Sequence, residues 1–391
     1  MEISTSLLAR VTFRLPTGKR FLLIMYNLHH PPQSWPMVVV LPSSMRPTRC
    51  IENFRLPRLE GNFGFLNWTT RPAVAIFFIP TEDRTKKIYG SSILPLHLFR
   101  YDSTEDQLTD LDKCSSATGG AYSIANLGND LYIASYPGTS ISVYDPFQPY
   151  HFGNQPGHNH RDIGRVDDIS YRSRSTLTGP LGRVWLASLP DYGRSGGLLS
   201  YYDPATEEKK VYYQVCGDAS CYTLARLPQQ ALITVSTSIS GGSDTQPKAS
   251  QVTLFLWDYH TERKAWEGTL DRNVSFNALV TGADGKLYGT VKGRRSTGSA
   301  FVFEPEYRTF THLVDLLDGE RALDLGLQNG PDGKIYGMTS STIYRLNPTD
   351  VSVPIEPVIA SANGFDISGP ILENEIYYAE GHRLMAARIF E

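Results

Sequence analysis

The chain has 391 residues, 41% of them hydrophobic and 20% charged, with a net charge of −3 at neutral pH. That composition can bury a large core, and it gives no general electrostatic reason to bind nucleic acid or an anionic membrane. The longest apolar runs, such as Phe21-Leu-Leu-Ile-Met25, Met37-Val-Val-Val-Leu41 and Ala73-Val-Ala-Ile-Phe-Phe-Ile79, fall far short of the roughly 20 residues a membrane-spanning helix needs, so neither partner is expected.

Residues 1–35, with Pro31-Pro32 and no repeat, read as an irregular N-terminal arm. Lys19-Arg20 ahead of Phe21 lacks the apolar length and small-residue cleavage site of a secretory signal, so a cytoplasmic location is expected over secretion. Residues 36–391 read as a single domain, with a ring-closing strand drawn from about 37–56 and repeats from about 72. Met37-Val-Val-Val-Leu41 and Glu52-Asn-Phe-Arg-Leu56 are the candidates for that strand.

From there an apolar run, aromatic-bearing in six of seven cases, recurs: Lys87-Ile-Tyr-Gly90, Leu131-Tyr-Ile-Ala-Ser135, Val184-Trp-Leu-Ala-Ser188, Leu232-Ile-Thr-Val-Ser236, Leu287-Tyr-Gly-Thr-Val291, Ile335-Tyr-Gly-Met-Thr339 and Ile376-Tyr-Tyr-Ala-Glu380. Each is followed by a second run, as in Ser142-Val-Tyr-Asp-Pro146 and Leu199-Ser-Tyr-Tyr-Asp-Pro204. Aligning Tyr89, Tyr132, Trp185, Ile233, Tyr288, Tyr336 and Tyr377 gives steps of 43, 53, 48, 55, 48 and 41 residues. Periods near 45 predict an all-β fold, a β-propeller. The expectation is seven four-stranded antiparallel blades with the ring closed by an N-terminal strand, or six blades if residues 87–102 form none. Gly282-Ala-Asp-Gly-Lys-Leu-Tyr288, Gly330-Pro-Asp-Gly-Lys-Ile-Tyr336 and Gly179-Pro-Leu-Gly-Arg-Val-Trp185 supply the tight turns, where glycine accepts positive φ without steric cost. Cys50, Cys114, Cys216 and Cys221 are too few for a disulfide framework; free thiols are expected, although Cys216 and Cys221 are spaced to pair.

Binding residues on such a scaffold sit on connections held by rigid sheets. Loop 150–171 contains His158-Asn-His160 with Asp162 and Asp168 nearby, residue types that bind manganese or zinc; the plainer reading is a polar loop whose histidines face water. Loops 189–197 (with Tyr192), 236–251 (with Gly241-Gly242) and 292–298 (with Arg294) each join the second and third strands of a repeat, which brings them to one rim, where the site is expected. Twelve residues before the repeat aromatic the innermost strand begins: Asp324, Phe276 and Ser173, with Asp366 eleven before Tyr377. Carboxylates facing one channel serve as acid and base, or only cap backbone amides. Tyr122 and Tyr222, at the starts of inner strands, and Tyr192 offer aromatic faces and a phenolic proton.

The stretch Arg183-Val-Trp-Leu-Ala-Ser-Leu-Pro-Asp-Tyr-Gly-Arg-Ser-Gly-Gly-Leu-Leu-Ser-Tyr-Tyr-Asp-Pro204 resembles a wide group of propellers that includes the virginiamycin B lyases and oligogalacturonate lyases. That resemblance implies the fold and, in those lyases, a metal with a His or Tyr base. In size, divergent repeats and lack of cofactor motifs the chain also resembles the fungal hetero-Diels-Alderases of tropolone-sesquiterpenoid biosynthesis. This implies a cofactor-independent cyclase that dehydrates a polyketide tropolone to a quinone methide and directs its cycloaddition to a terpene alkene. The catalytic candidates are then His158, His160, Asp324, Asp366 and Tyr192, and the substrate-binding candidates Tyr122, Tyr222, Arg294, Phe276 and Asp168, with no cofactor or metal and a small apolar substrate. The alternatives are a metal-assisted polysaccharide or lactone lyase and a non-catalytic propeller that docks proteins; against the latter, a Trp-Asp pair occurs only once, at Trp257-Asp258.

Overall fold

The turns between first and second strands follow directly from their sequences. In 282–288, Gly285 takes φ of +79° while its N–H donates to the Gly282 carbonyl, and the Gly282 N–H donates to the Lys286 carbonyl. The Asp284 carboxylate accepts from the Lys286 N–H (3.1 Å) and from the Tyr288 hydroxyl (2.8 Å). In 330–336 the same contacts recur, with Lys334 N–H to Asp332 at 3.2 Å and the Tyr336 hydroxyl to Asp332 at 2.9 Å. One aspartate thus ties the turn to the buried end of the next strand. At 179–185 the aromatic is Trp185, whose indole N–H donates instead to the Pro180 carbonyl (3.3 Å).

These hairpins build the larger sheets of a computed structural model that describes residues 5–14, 20–28, 37–42, 49–53, 74–76, 87–93, 95–270, 273–293, 298–316, 320–346, 355–361, 363–381 and 383–389, with side chains in the segments from residue 87 onward, His312 and Leu313 excepted. The fold is an all-β propeller of antiparallel sheets. Four strands form each of five discrete blades, whose innermost strands are Val74–Ile76, Gly120–Leu127, Ser170–Thr178, Ala322–Asn329 and Ile367–Leu372. The expectation of seven like, separate blades is corrected by the remaining pairing. Leu232–Ser238 bonds to Asn273–Thr281 through Ser238 and Ser275, so the strands from Ser220–Leu227 to Thr309–Asp315 form one continuous eight-stranded sheet. The six-blade alternative fails on its own premise, because Lys87–Ser92 and His97–Asp102 lie within a four-stranded blade. Arg383–Arg388 takes Arg49–Asn53 as its outer neighbour.

Two compact units divide the chain at residues 48 and 49. In the first, Thr5–Arg14, Arg20–Leu28 and Met37–Pro42 pair as a three-stranded antiparallel sheet. The irregular arm expected there is therefore corrected. Met37–Pro42, offered as a ring-closing strand, pairs with Arg20–Leu28 instead, two β-rich apolar runs finding each other. In the second unit the aligned repeat residues Tyr89, Tyr132, Trp185, Ile233, Tyr288, Tyr336 and Tyr377 are all buried. They pack across sheet boundaries: Tyr89 meets Tyr144 edge-on at 6.1 Å, and Tyr377 meets Tyr101 at 5.9 Å. Each such ring contributes roughly 1.5–3 kcal/mol by burial. Cys114, Cys216 and Cys221 are free thiols, with the sulfurs of Cys216 and Cys221 3.6 Å apart, and burial pushes the Cys114 thiol up to about 12.

The turn geometry separates two kinds of glycine. A Cβ on Gly330 would meet the Tyr336 ring at 2.4 Å, whereas one on Gly333 meets nothing within 4 Å and suffers only from φ of +77°. Gly330→Ala should lower unfolding free energy by about 1–3 kcal/mol through overpacking, and Gly333→Ala by about 1–2 kcal/mol through left-handed strain alone. Urea denaturation of the double variant Gly330→Ala/Tyr336→Leu checks this: removing the ring should relieve most of the Gly330 penalty, and no relief would sink the packing explanation.

Candidate functional site

The innermost strands contact one another in a closed cycle and enclose a cavity of about 640 Å³, within the range of small-molecule sites. Its wall mixes apolar side chains (Ile93, Leu189, Val274, Leu323, Ile367) with the cations Arg172, Arg174, Lys292 and Arg321 and the carboxylates Asp324 and Asp366. Inner strands alternate sides with period two, and register shifts within them, at 170/172, 173/175, 221/224, 273/275, 276/278, 322/327 and 368/371, re-aim side chains toward the axis. Leu325, inside one such shift, holds φ of +56° beside Asp324.

Four residues from four strands converge. The Asp324 carboxylate accepts from the Arg174 guanidinium, from the Tyr222 hydroxyl (3.1 Å) and from the Asn277 amide (2.7 Å). Arg174 also donates to the Tyr222 oxygen, and its guanidinium lies 4.6 Å from the Tyr222 ring centre and 5.5 Å from that of Tyr122. Ser368 fixes the Asp324 backbone by donating to its carbonyl (2.6 Å). Burial first, then the Asp324 charge, push the Tyr222 phenol above its ordinary value, so it stays protonated at neutral pH. The Asp324 side chain is 42% exposed, so its carboxylate is open to the cavity contents. The Asn277 carbonyl oxygen is a buried acceptor with no hydrogen-bond partner among the described residues.

Of the residues expected from sequence, Tyr122, Tyr222, Asp324 and Asp366 line this cavity. Asp366 accepts from the Gly381 N–H (2.6 Å). Leu189, the stretch Ser240–Ser243 and Lys292, from the three loops expected at one rim, border the same space. Others do not join it. His160 is fully buried: its ring stacks on Tyr144 at 5.8 Å and its Nε2 lies 2.8 Å from Ser142 Oγ, whose proton goes to the Cys114 carbonyl. Nε2 therefore carries the hydrogen and donates it. His158 accepts from the Gln155 N–H (3.2 Å) and packs on His151. The two imidazoles thus serve different partners, and no group of three or more metal-ligating side chains gathers among the described residues. Phe276 is fully buried against Phe301, because the shift at 276/278 turns Asn277 to the cavity in its place. Tyr192 is 47% exposed and rests on Tyr171, Asp168 is exposed, and Arg294 lies outside the described residues. The sequence reading missed Arg172, Arg174, Asn277 and Arg321. For Arg172 and Arg174 the signal was present in the alternation Arg172-Ser-Arg174-Ser, whereas Asn277 reaches the cavity through a register shift.

The chain matches no protein-family model and no curated protein. It is similar in structure to Kuenenia stuttgartiensis hydrazine synthase, with a TM-score of 0.63 and 12% identity over 84% of this chain and 99% of that one. It is also similar to the β-propeller domain of Myceliophteria thermophila Cps50 (Swd1), with a TM-score of 0.54 and 11% identity over 82% and 97% of the two chains. The Neurospora crassa Pan2 WD40 domain aligns with a TM-score of 0.56 and 10% identity over 82% and 90%. At these identities the similarity speaks for the β-propeller fold alone.

Burial lowers the His160 imidazole to about 3, against an ordinary value near 6.5. Its neutral form therefore contributes stability that is fully present above about pH 6.5 and is lost as pH falls toward 3. Thermal unfolding followed from pH 7 to pH 4 should show a shallower fall in Tm for His160→Gln than for the parent protein. Parallel curves would contradict the burial of a neutral imidazole.

Proposed function

We propose that the protein is an enzyme performing acid–base chemistry on a small molecule in the central cavity, and that its reaction is the dehydrative cyclisation implied by the resemblance to the hetero-Diels-Alderases. The observation that carries this reading is the Arg174–Tyr222–Asp324–Asn277 cluster. It presents a carboxylate open to the cavity, a phenol held protonated, and a guanidinium that touches both.

In the dehydration, Asp324 takes the proton of a ring hydroxyl while the hydroxyl of a neighbouring carbinol leaves with a proton from Tyr222. One water is lost and a quinone methide is formed. The proton on Asp324 then passes to the Tyr222 oxygen along their 3.1 Å hydrogen bond, which restores both groups. Arg174 stabilises the phenolate that exists between the two transfers, in a site where charge is poorly screened. The cycloaddition moves no proton and needs the alkene held over the heterodiene. The apolar wall of Ile93, Leu189, Val274, Leu323 and Ile367 is suited to a terpene chain. Orientation of two reactants in this way is worth about 7–11 kcal/mol of barrier. The metal-assisted lyase reading draws less support, since its histidine pair is engaged in separate contacts.

Incubation of the protein with a hydroxyalkyl tropolone and a humulene-type alkene, followed by mass spectrometry, should give an adduct lighter by one water. Asp324→Asn should slow its formation about 100-fold or more and Tyr222→Phe about tenfold or more, as expected for loss of a positioned proton-transfer group. Water loss no faster than in buffer, or a wild-type rate for Asp324→Asn, would overturn the reading.

A further inference from the structure

The cavity carries more positive charge than its own carboxylates neutralise. Arg174 is satisfied by Asp324 and Tyr222. Arg172, Lys292 and Arg321 face the same space, and none of them has an acidic side chain within ion-pair distance among the described residues. Arg172 lies 5.0 Å over the Tyr136 ring, and its Nε is buried without a hydrogen-bond partner. Arg172 and Lys292 are half-buried and Arg321 is exposed, so all three can reach a ligand in the cavity, and like charges gathered there without a counter-charge favour an anion.

Chain position puts these three on one side of the Asp324 cluster. Arg172 precedes Arg174 by two residues, Lys292 pairs with Ser275 two residues before Asn277, and Arg321 precedes Asp324 by three. This is the side of the Asp324 cluster on which the innermost strands begin. It is toward the end where Leu189 and residues 240–243 close over the cavity. Asp366 is at the same end but is engaged by the Gly381 N–H.

We infer that Arg172, Lys292 and Arg321 form an anion-recognition collar that selects a substrate carrying an organic oxyanion, a carboxylate or acidic enolate, on an apolar body. Guanidinium groups match the planar two-oxygen edge of such an anion, and the apolar wall of the same cavity accommodates the body. The inference rests on the cavity being the substrate site, and it deepens the cyclase reading by requiring the substrate to bind as an anion rather than as a neutral, apolar molecule.

Isothermal titration with naphthalene-2-carboxylate, its methyl ester and inorganic phosphate tests this on the full chain. The carboxylate should bind at least about tenfold more tightly than either comparison ligand, and Arg172→Gln/Arg321→Gln should weaken it about tenfold or more, the scale of a lost charge-assisted hydrogen bond. Lys292→Gln alone, together with circular dichroism, guards against misfolding of the double variant and should weaken binding in the same direction. An ester that binds as tightly as the carboxylate, phosphate that binds as tightly, or collar variants with unchanged affinity would each overturn the collar. Turnover that persists in such a protein would leave the acid–base reading standing, whereas carboxylate binding without any dehydration would do the reverse.

Discussion

The close approach of the innermost strands around the axis is the constraint on which the rest depends. Where neighbouring innermost strands meet, small hydroxyl side chains bridge them, to one another and to backbone N–H groups. Ser123 lies 3.2 Å from Ser173 and 2.5 Å from Thr176 of the next blade; Ser175 accepts from the Leu224 N–H, and Ser91 from the Ala121 N–H. These contacts hold neighbouring sheets together with almost no side-chain volume. Register shifts occur in the same strands, and a shifted strand turns adjacent residues toward the axis where a regular strand would turn alternate ones. The cavity wall is a product of that irregularity.

Charge follows from the same geometry. A guanidinium placed between Tyr122 and Tyr222 is tolerable only with a partner, and Asp324 reaches it from a strand 150 residues later in the chain. The pair neutralises itself, with Tyr222 held as a phenol and Asn277 completing the carboxylate shell. Arg172, Lys292 and Arg321 line the same cavity and have no acidic side chain within ion-pair distance among the described residues. The Asp324 cluster and the further cations are therefore two consequences of one ring of strands.

Some of the site was legible before folding. Asp324 and Asp366 were found by counting back from the repeat aromatic, and Tyr122 and Tyr222 by their place at the start of inner strands; all four line the cavity. Counting failed where a strand slips by one residue, as Phe276 went to the core and Asn277 to the cavity. His158-Asn-His160 looked like chemistry because of its residue types, yet His160 found a more favourable place stacked in the core as a neutral ring. Arg172 and Arg174 were overlooked because an arginine in a strand ordinarily faces water. Likewise the eight-stranded sheet hangs on the Ser238–Ser275 pairing, which no local pattern announces.

The sequence by itself determined the repeat, its glycine-bearing hairpin turns and the buried residue aligned in each, aromatic in all but Ile233, because these are local. Glycine supplies the backbone angle, aspartate ties the turn to the tyrosine, and alternation sends apolar residues to one face. Tertiary structure alone decided which strands merge into one sheet, which side chains face the axis, and that Arg174, Tyr222, Asn277 and Asp324 meet at all. Those outcomes depend on contacts between residues far apart in the chain. Their energy is realised only when every strand is already in place.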